Sequence, residues 1–528
     1  MTKELLPMKR FLSNTVAYPW TIEENINFRG YFIKEDTCCR GKGAVDVLYE
    51  HLSERTAASV LRELNGSFSM IQENSDSVLF AVDRLRSLPL FYAVVDGELW
   101  LGDDAVSLAK ALPHRSINEV SAEEFISTST FVSGPYTMLN ELFQVQAGEL
   151  CVFRNGTVTR IQYFQTEHDD FFDDQDTETL LRNFQEAYAR TGRAMVQALN
   201  GRTAVIPLSG GADSRMILNM LKKEQYEKVL CFTYGHPGNR EAEISHMVAK
   251  EFGYPWVMVP YTTETWETLR NDPIMSKYEP FAFSFCSTPH LQDFPAVRYM
   301  KEHGMLPEDS VFVPGHSGDM IAGSHITFEF LKQKMSREDF FKTIHEKFYV
   351  DDVSQALNKK IEERFPPKQP HELEKLASQS EWFNTQERQA KFIVNSVRIY
   401  EFLGYEWLIP LWDNHQFDFW KRVSLSWRYR RKLYYYAVND QLPSTNDVTI
   451  ADSTAAKLRT VPGIRTVLRR GKRILKYWRS PLRTERYIAP AVYFRACLFA
   501  PPTFTIASLT SKQLLVRLRK TLEKNEKT

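Results

Sequence analysis

The chain has 528 residues, 43% of them hydrophobic and 25% charged, with 66 Lys+Arg balanced by 66 Asp+Glu. This is the composition of a soluble globular protein, in more than one domain, since single cores stop growing near ~250–300 residues. Zero net charge argues against a polyanionic partner for the molecule as a whole, and no apolar run approaches the ~20 residues of a membrane helix.

The opening stretch, MTKELLPMKRFLSNTV, has no continuous apolar segment and no small-residue cleavage site, so a signal peptide is not expected. The six cysteines, Cys38, Cys39, Cys151, Cys231, Cys286 and Cys497, are scattered and form no CxxC pair. They read as reduced thiols of a cytoplasmic protein.

Residues 1–165 carry short alternating apolar runs: Phe68–Ile71, Val78–Val82, Leu90–Val95, Glu98–Leu101 and Glu149–Phe153. Turn pairs separate them, namely Asp96-Gly97 and Asn155-Gly156. This pattern predicts an antiparallel β-sandwich with a helix over Ala105–Ala111. The acidic stretch Glu167–Asp176 is a poor core segment and reads as a linker within 166–180.

From 181 to 457 the rhythm becomes strand-then-helix. Strands are expected at Thr203–Leu208, Lys228–Gly235, Val257–Pro260 and Val311–Pro314, and helices at Ser214–Lys223, Glu241–Phe252 and Phe294–His303. Alternation at this spacing predicts a doubly wound parallel α/β sheet. Residues 370–440 read as mostly helical.

Ser209-Gly210-Gly211-Ala212-Asp213-Ser214 lies between the first strand and helix of that unit. Glycines there let backbone N–H groups and a helix N-terminus approach a phosphate. Ser209 and Ser214 add hydroxyl donors. Asp213 would repel bare phosphate and makes sense as a ligand of a bridging Mg²⁺. The lysine of a Walker loop is missing. The bland alternative is a plain turn with Asp213 as helix cap.

Ser209–Ser214 resembles the SGGxDS loop of N-type ATP pyrophosphatases, and three further segments resemble asparagine synthetases. They are Phe232-Thr-Tyr-Gly235 with Glu241 and Ala249, then Gly315-His-Ser-Gly-Asp-Met-Ile-Ala-Gly323, similar to SGExxDExxxG, and Gly404–Asp413, similar to GxExRxPxxD. The resemblance implies that Leu208, Tyr234 and Gly315 contact an adenylate and that Asp213 and Asp319 hold Mg²⁺-pyrophosphate. Leu79–Arg84, Leu88–Tyr92 and Gly97–Leu101 are similar to the family's glutaminase domain, of the N-terminal-nucleophile (Ntn) fold. That domain's chemistry needs a terminal cysteine. Position 2 is Thr2, so the domain reads as degenerate, as in the β-lactam-forming relatives.

The second half departs from the pattern in several places. His316 stands where asparagine synthetases carry a glutamate and lactam-forming relatives a tyrosine base. A histidine there is a candidate base or merely a partner for a backbone carbonyl. Glu406, the glutamate of the GxE segment, is a candidate support for that base or a structural ion pair. Met320 replaces a second glutamate. Leu408 replaces an arginine, which argues against an aspartate-like substrate. The family's lysine after a Leu-Pro pair has Lys457 as its nearest counterpart after Leu442-Pro443.

Residues 458–528 form a basic extension, with ten Lys/Arg and one acid, Glu485, over 458–486. A basic helix packed on the synthetase domain and a peripheral contact with anionic lipid both fit. No specific nucleic-acid partner is expected, and a homodimer is a further candidate.

The expected activity is an ATP- and Mg²⁺-using, AMP-forming ligase joining a small carboxylate to an amine or ammonia, in surface-polysaccharide or specialised metabolism. The rivals are glutamine-dependent asparagine synthesis and a silent scaffold.

Overall fold

A computed structural model describes residues 8–442, apart from 14, 333, 350–352, 368, 369 and 371, together with 515, 516, 518 and 519. Thr2, Lys457 and the basic stretch 458–486 lie outside the described residues.

The first domain is two sheets clasped between helices. The larger sheet runs Thr157–Gln162, Glu149–Arg154, Val78–Val82, Asn65–Glu73, Ile26–Lys34 and Thr21–Glu23, with Thr37–Arg40 also pairing Ile26–Lys34. The smaller runs Met8–Phe11, Glu98–Gly102, Phe91–Val95 and Phe143–Gln144. Strand alternation divides the apolar residues between layers. Val78, Phe80 and Val82 meet Tyr92, Leu99 and Leu101 between the sheets, whereas Leu79 and Ala81 face Ala44, Leu48 and Leu61 of the helices Gly41–His51 and Ala57–Glu63. The predicted helix Ala105–Ala111 covers the outer face of the smaller sheet. Pairing is antiparallel as expected, except that Met8–Phe11 runs parallel to Glu98–Gly102.

The second domain opens with α1 (Thr177–Leu199), capped by Asp176, whose carboxylate accepts from Thr179 N at 3.0 Å. The acidic stretch before it is pinned down and does not run free through solvent. His168 is buried, with its N–H on Ser378 Oγ at 2.8 Å, and the Arg422 guanidinium lies 4.2 Å from the centre of the Phe172 ring.

Five parallel strands then form one sheet: β1 (Ala204–Pro207), β2 (Val229–Gly235), β3 (Trp256–Pro260), β4 (Val311–Phe312) and β5 (Glu406–Trp407). Their order is β3-β2-β1-β4-β5. Helices α2 (Ala212–Lys223) and α3 (Arg240–Phe252) return the chain between strands. The fold is therefore α/β, as the strand-helix rhythm predicts. The order reverses at β1, where β2 lies on one side and β4 on the other. Open α/β sheets bind ligands outside the carboxyl ends of strands at such a point.

The region 370–440 is helical but not uniformly α. Asn384–Ile393 is a π-helix, followed by a 3₁₀ turn over Val394–Val397. The two domains share a core, in which Tyr18, Tyr31, Leu85 and Leu88 pack with the second domain's apolar residues. Among the described residues no helix is long and apolar enough to cross a membrane, and the five described cysteines are free.

Candidate active site

Ser209–Ser214 bridges the end of β1 and the first turn of α2, two residues earlier than the helix read from sequence. The loop is held from inside. Ser214 Oγ accepts from Ser209 N at 3.2 Å, and Ser209 Oγ accepts from Gly211 N at 3.2 Å. Arg215 Nη2 donates to Gly210 O at 3.0 Å. With Gly211 at the N-cap, Asp213 sits in the first helical turn, and Gly211 is exposed.

The segment after β4 packs against that turn. A Cβ on Gly315 would lie 2.6 Å from Ser214 N, and one on Gly318 would lie 2.9 Å from Asp213 Oδ1. Both glycines are required by close approach of the two segments. As a result Asp319 N points at Asp213 Oδ2, 3.4 Å away. Burial first, and the neighbouring Asp319 carboxylate second, push the Asp213 carboxyl up to about 7.

Two neighbouring carboxylates beside a glycine loop at a helix N-terminus fit a Mg²⁺ that would take its other ligands from phosphates and water. No larger cluster of metal-ligating side chains exists among the described residues.

Sequence reasoning missed the cover of this site. Helix α4 (Lys432–Gln441) brings the Tyr434 hydroxyl onto Asp213 Oδ1, and Arg431, just before it, reaches Asp319 Oδ2 at 3.4 Å. Positions three apart share a helix face, but nothing in the sequence ties this face to a carboxylate 221 residues earlier. Arg430 and Arg431 both have positive φ, 56° and 58°, a conformation costly for non-glycine residues and concentrated at functional sites.

His316 is half-buried on the same segment. Its Nε2 lies 2.8 Å from Ser396 Oγ, and burial holds the imidazole down to about 4. Its partner is thus a side-chain hydroxyl, not the backbone carbonyl of the bland alternative. Ser317 Oγ donates to Gln389 Oε1 at 2.8 Å, so the π-helical stretch walls this side of the site.

The remaining predicted residues are distributed as follows. Leu208 is buried, its N–H on Phe232 O at 2.8 Å. Tyr234, near the carboxyl end of β2, stacks on Tyr261 at 4.8 Å and donates to Asp293 Oδ1 at 2.5 Å. Leu408 is buried in the core with its N–H on Phe312 O at 2.8 Å.

Glu406 requires a correction. It begins β5 and pairs with Val311, which pairs with Ala204 at the start of β1. The loop begins five residues further along, roughly 16 Å at the rise of a strand. Arg40 at 2.6 Å and Arg202 at 2.8 Å hold its carboxylate. Glu406 is a structural ion pair at the opposite end of the sheet and does not support His316.

Fold and site together define an open parallel α/β domain, with the glycine loop Ser209–Ser214 at the switch point, joined to a sandwich domain. Residues 7–164 match the family of glutamine amidotransferase domains and residues 197–457 that of asparagine synthase. By this architecture the chain belongs to the asparagine synthetase family.

No curated protein matches it. The solved structures it resembles include an NH3-dependent NAD synthetase from Campylobacter jejuni, with 12% identity over 28% of this chain and TM-score 0.20. The chain spans 61% of that protein's length. A glutamine phosphoribosylpyrophosphate amidotransferase from B. subtilis matches at 11% identity over 46% of this chain and 72% of its own, with TM-score 0.20.

Proposed function

We propose that the protein is an ATP-dependent ligase that activates a carboxylate as its acyl-adenylate and transfers the acyl group to an amine or ammonia, releasing AMP and pyrophosphate. The match to asparagine synthase supports an amide-forming synthetase. The observation that carries the finer reading is the convergence of Asp213 and Asp319, from separate segments, beside the loop Ser209–Ser214 at the switch point of the sheet.

In the first step a carboxylate oxygen attacks the α-phosphorus and the bond to pyrophosphate breaks. The α2 N-terminus and the loop N–H groups not bonded within the loop face the departing anion. A Mg²⁺ held by Asp213 and Asp319 would draw charge from it. Tyr434 orients Asp213 by its hydroxyl, and Arg431 adds a fixed cation.

In the second step the amine attacks the acyl carbon, AMP departs, and the amine's surplus proton needs an acceptor. His316, neutral above about pH 4, takes it.

The test is ATP–pyrophosphate exchange with labelled pyrophosphate across a panel of carboxylic acids. Exchange with one acid, lost in Asp213→Ala, is expected. Exchange that survives this substitution would overturn the loop assignment. Absence of both exchange and ATP binding would favour a scaffold.

A further inference from the structure

The π-helical stretch and the 3₁₀ turn after it place Ser396 against His316. A π-turn displaces the residues after it from the α register, a distortion common at functional sites. Here Gln389 meets Ser317 and Ser396 meets His316, each at 2.8 Å. The same stretch presents the Phe392 carbonyl to His290 Nε2 at 2.7 Å.

The Ser396 hydroxyl has two neighbours. It lies 2.8 Å from His316 Nε2 and, in donor geometry, 2.8 Å from the carbonyl oxygen of Ile393. A carbonyl only accepts, and serine has one proton and two lone pairs. When that proton goes to Ile393 O, the bond to the imidazole must run the other way, with Nε2–H donating to Ser396 Oγ. A neutral imidazole has only one N–H, so Nδ1 is left with a bare lone pair. Nδ1 has no hydrogen-bond partner among the described residues, and the residue as a whole is only half-buried.

We infer that Ser396 is a positioning residue that fixes His316 as its Nε2–H tautomer, making Nδ1 the atom that receives the proton of the incoming amine. This rests on the base role of His316 proposed above. As the C–N bond forms, the amine's N–H bond breaks and its proton moves to Nδ1. The acyl C–O bond breaks with its electron pair leaving on the phosphate oxygen of AMP. The resulting imidazolium keeps its Nε2–H on Ser396 Oγ, so no group has to reorganise as the charge appears. The proton then passes to solvent.

Side-chain ¹⁵N spectra of the full-length, histidine-labelled protein, with His316 assigned by His316→Gln, read the tautomer directly and need no substrate. The expected spectrum has Nε2 protonated and Nδ1 bare at pH 7. Ser396→Ala is expected to mix the tautomers and Ser396→Thr, which keeps the hydroxyl, to restore one. His290, bonded to a carbonyl that can only accept, serves as the internal Nε2–H standard.

With the acid that scores in the exchange panel and ammonium as nucleophile, Ser396→Ala should slow amide formation at least about tenfold more than it slows exchange. An Nδ1–H tautomer in the wild type, or Ser396→Ala with tautomer and amide formation both unchanged, overturns the inference. Amide formation that is unchanged in His316→Gln overturns the base reading and the catalytic half of the inference with it, and the spectra still decide the tautomer.

Discussion

Two buried clusters of charge, one at the domain boundary and one at the carboxyl end of the parallel sheet, are built on opposite terms. At the boundary Arg29 pairs with Asp103 of its own domain and Glu401 of the other, and Glu401 also accepts from Arg398 at 2.7 Å. Arg29 Nε donates to Tyr18 O at 2.7 Å and Nη2 to Thr15 Oγ1 at 2.9 Å. Two cations and two anions thus meet with their donors and acceptors supplied by the chain. At the sheet, Asp319 N points at Asp213 Oδ2, Arg431 reaches Asp319 at 3.4 Å and Arg388 also attracts Asp319, but Asp213 has no ion pair among the described residues. The difference separates architecture from function. Burying charge is costly, so a cluster whose acids each have their own ion pair reads as a joint, whereas a buried carboxylate without one, such as Asp213, suits a cation that arrives.

The comparison can be broken at either end. The largest effect is expected from Asp213→Ala, which removes the proposed metal and pyrophosphate anchor and should lower exchange by at least roughly 10²–10³-fold, the loss typical when one electrostatic contact to the transition state is deleted. Full activity in that variant would make the unpaired carboxylate an accident of packing.

Next comes Arg29→Ala, which strands Asp103 and Glu401 without their shared cation. Urea unfolding should show a loss of about 3–5 kcal/mol. A loss below about 1 kcal/mol, the worth of a surface pair, would erase the distinction between the clusters.

A subtler test is pH. With no metal bound, Asp213 in the folded state keeps its proton up to about 7, while the unfolded carboxyl releases it near 3.8. The folded state therefore binds more protons across that window. The group's contribution to stability is complete below about pH 4 and is lost as the pH rises through 7. Asp213→Asn should remove this slope, and Mg²⁺ with pyrophosphate should flatten it in the wild type. A slope unchanged in the variant would place its origin elsewhere.

The smallest effect is expected from Glu406→Gln. With its partners Arg40 and Arg202 partly exposed, the change should cost about 1 kcal/mol and leave exchange within about twofold. A large catalytic loss would restore Glu406 to the site.

Much of this was open to a reader of the sequence, and the part that was not has a common cause. The run Thr203–Leu208 followed by two glycines and Asp213 reads as strand, cradle and helix because hydrophobic periodicity and glycine placement are local properties of the chain. The core alternation of Val78–Val82 is legible for the same reason. Glu406 could be recognised in its segment but not located, because its distance from the loop is set by register across β1, β4 and β5 and not by spacing along the chain. The acidic stretch is legible as a poor core segment, but its anchoring is not, because the partners of His168 and Phe172 lie more than two hundred residues away.

Sequence by itself determined the two-domain order, the parallel sheet and the glycine loop between strand and helix, since each is written in contiguous residues whose chemistry and period suffice, while Asp319 is marked only by the resemblance of its segment. Only the tertiary structure decided that Tyr434 and Arg431 cover Asp213 and Asp319, that Glu406 is a joint, and that a π-helical stretch hands Ser396 to His316. Those facts depend on which surfaces meet once the core is packed, and no local pattern records that.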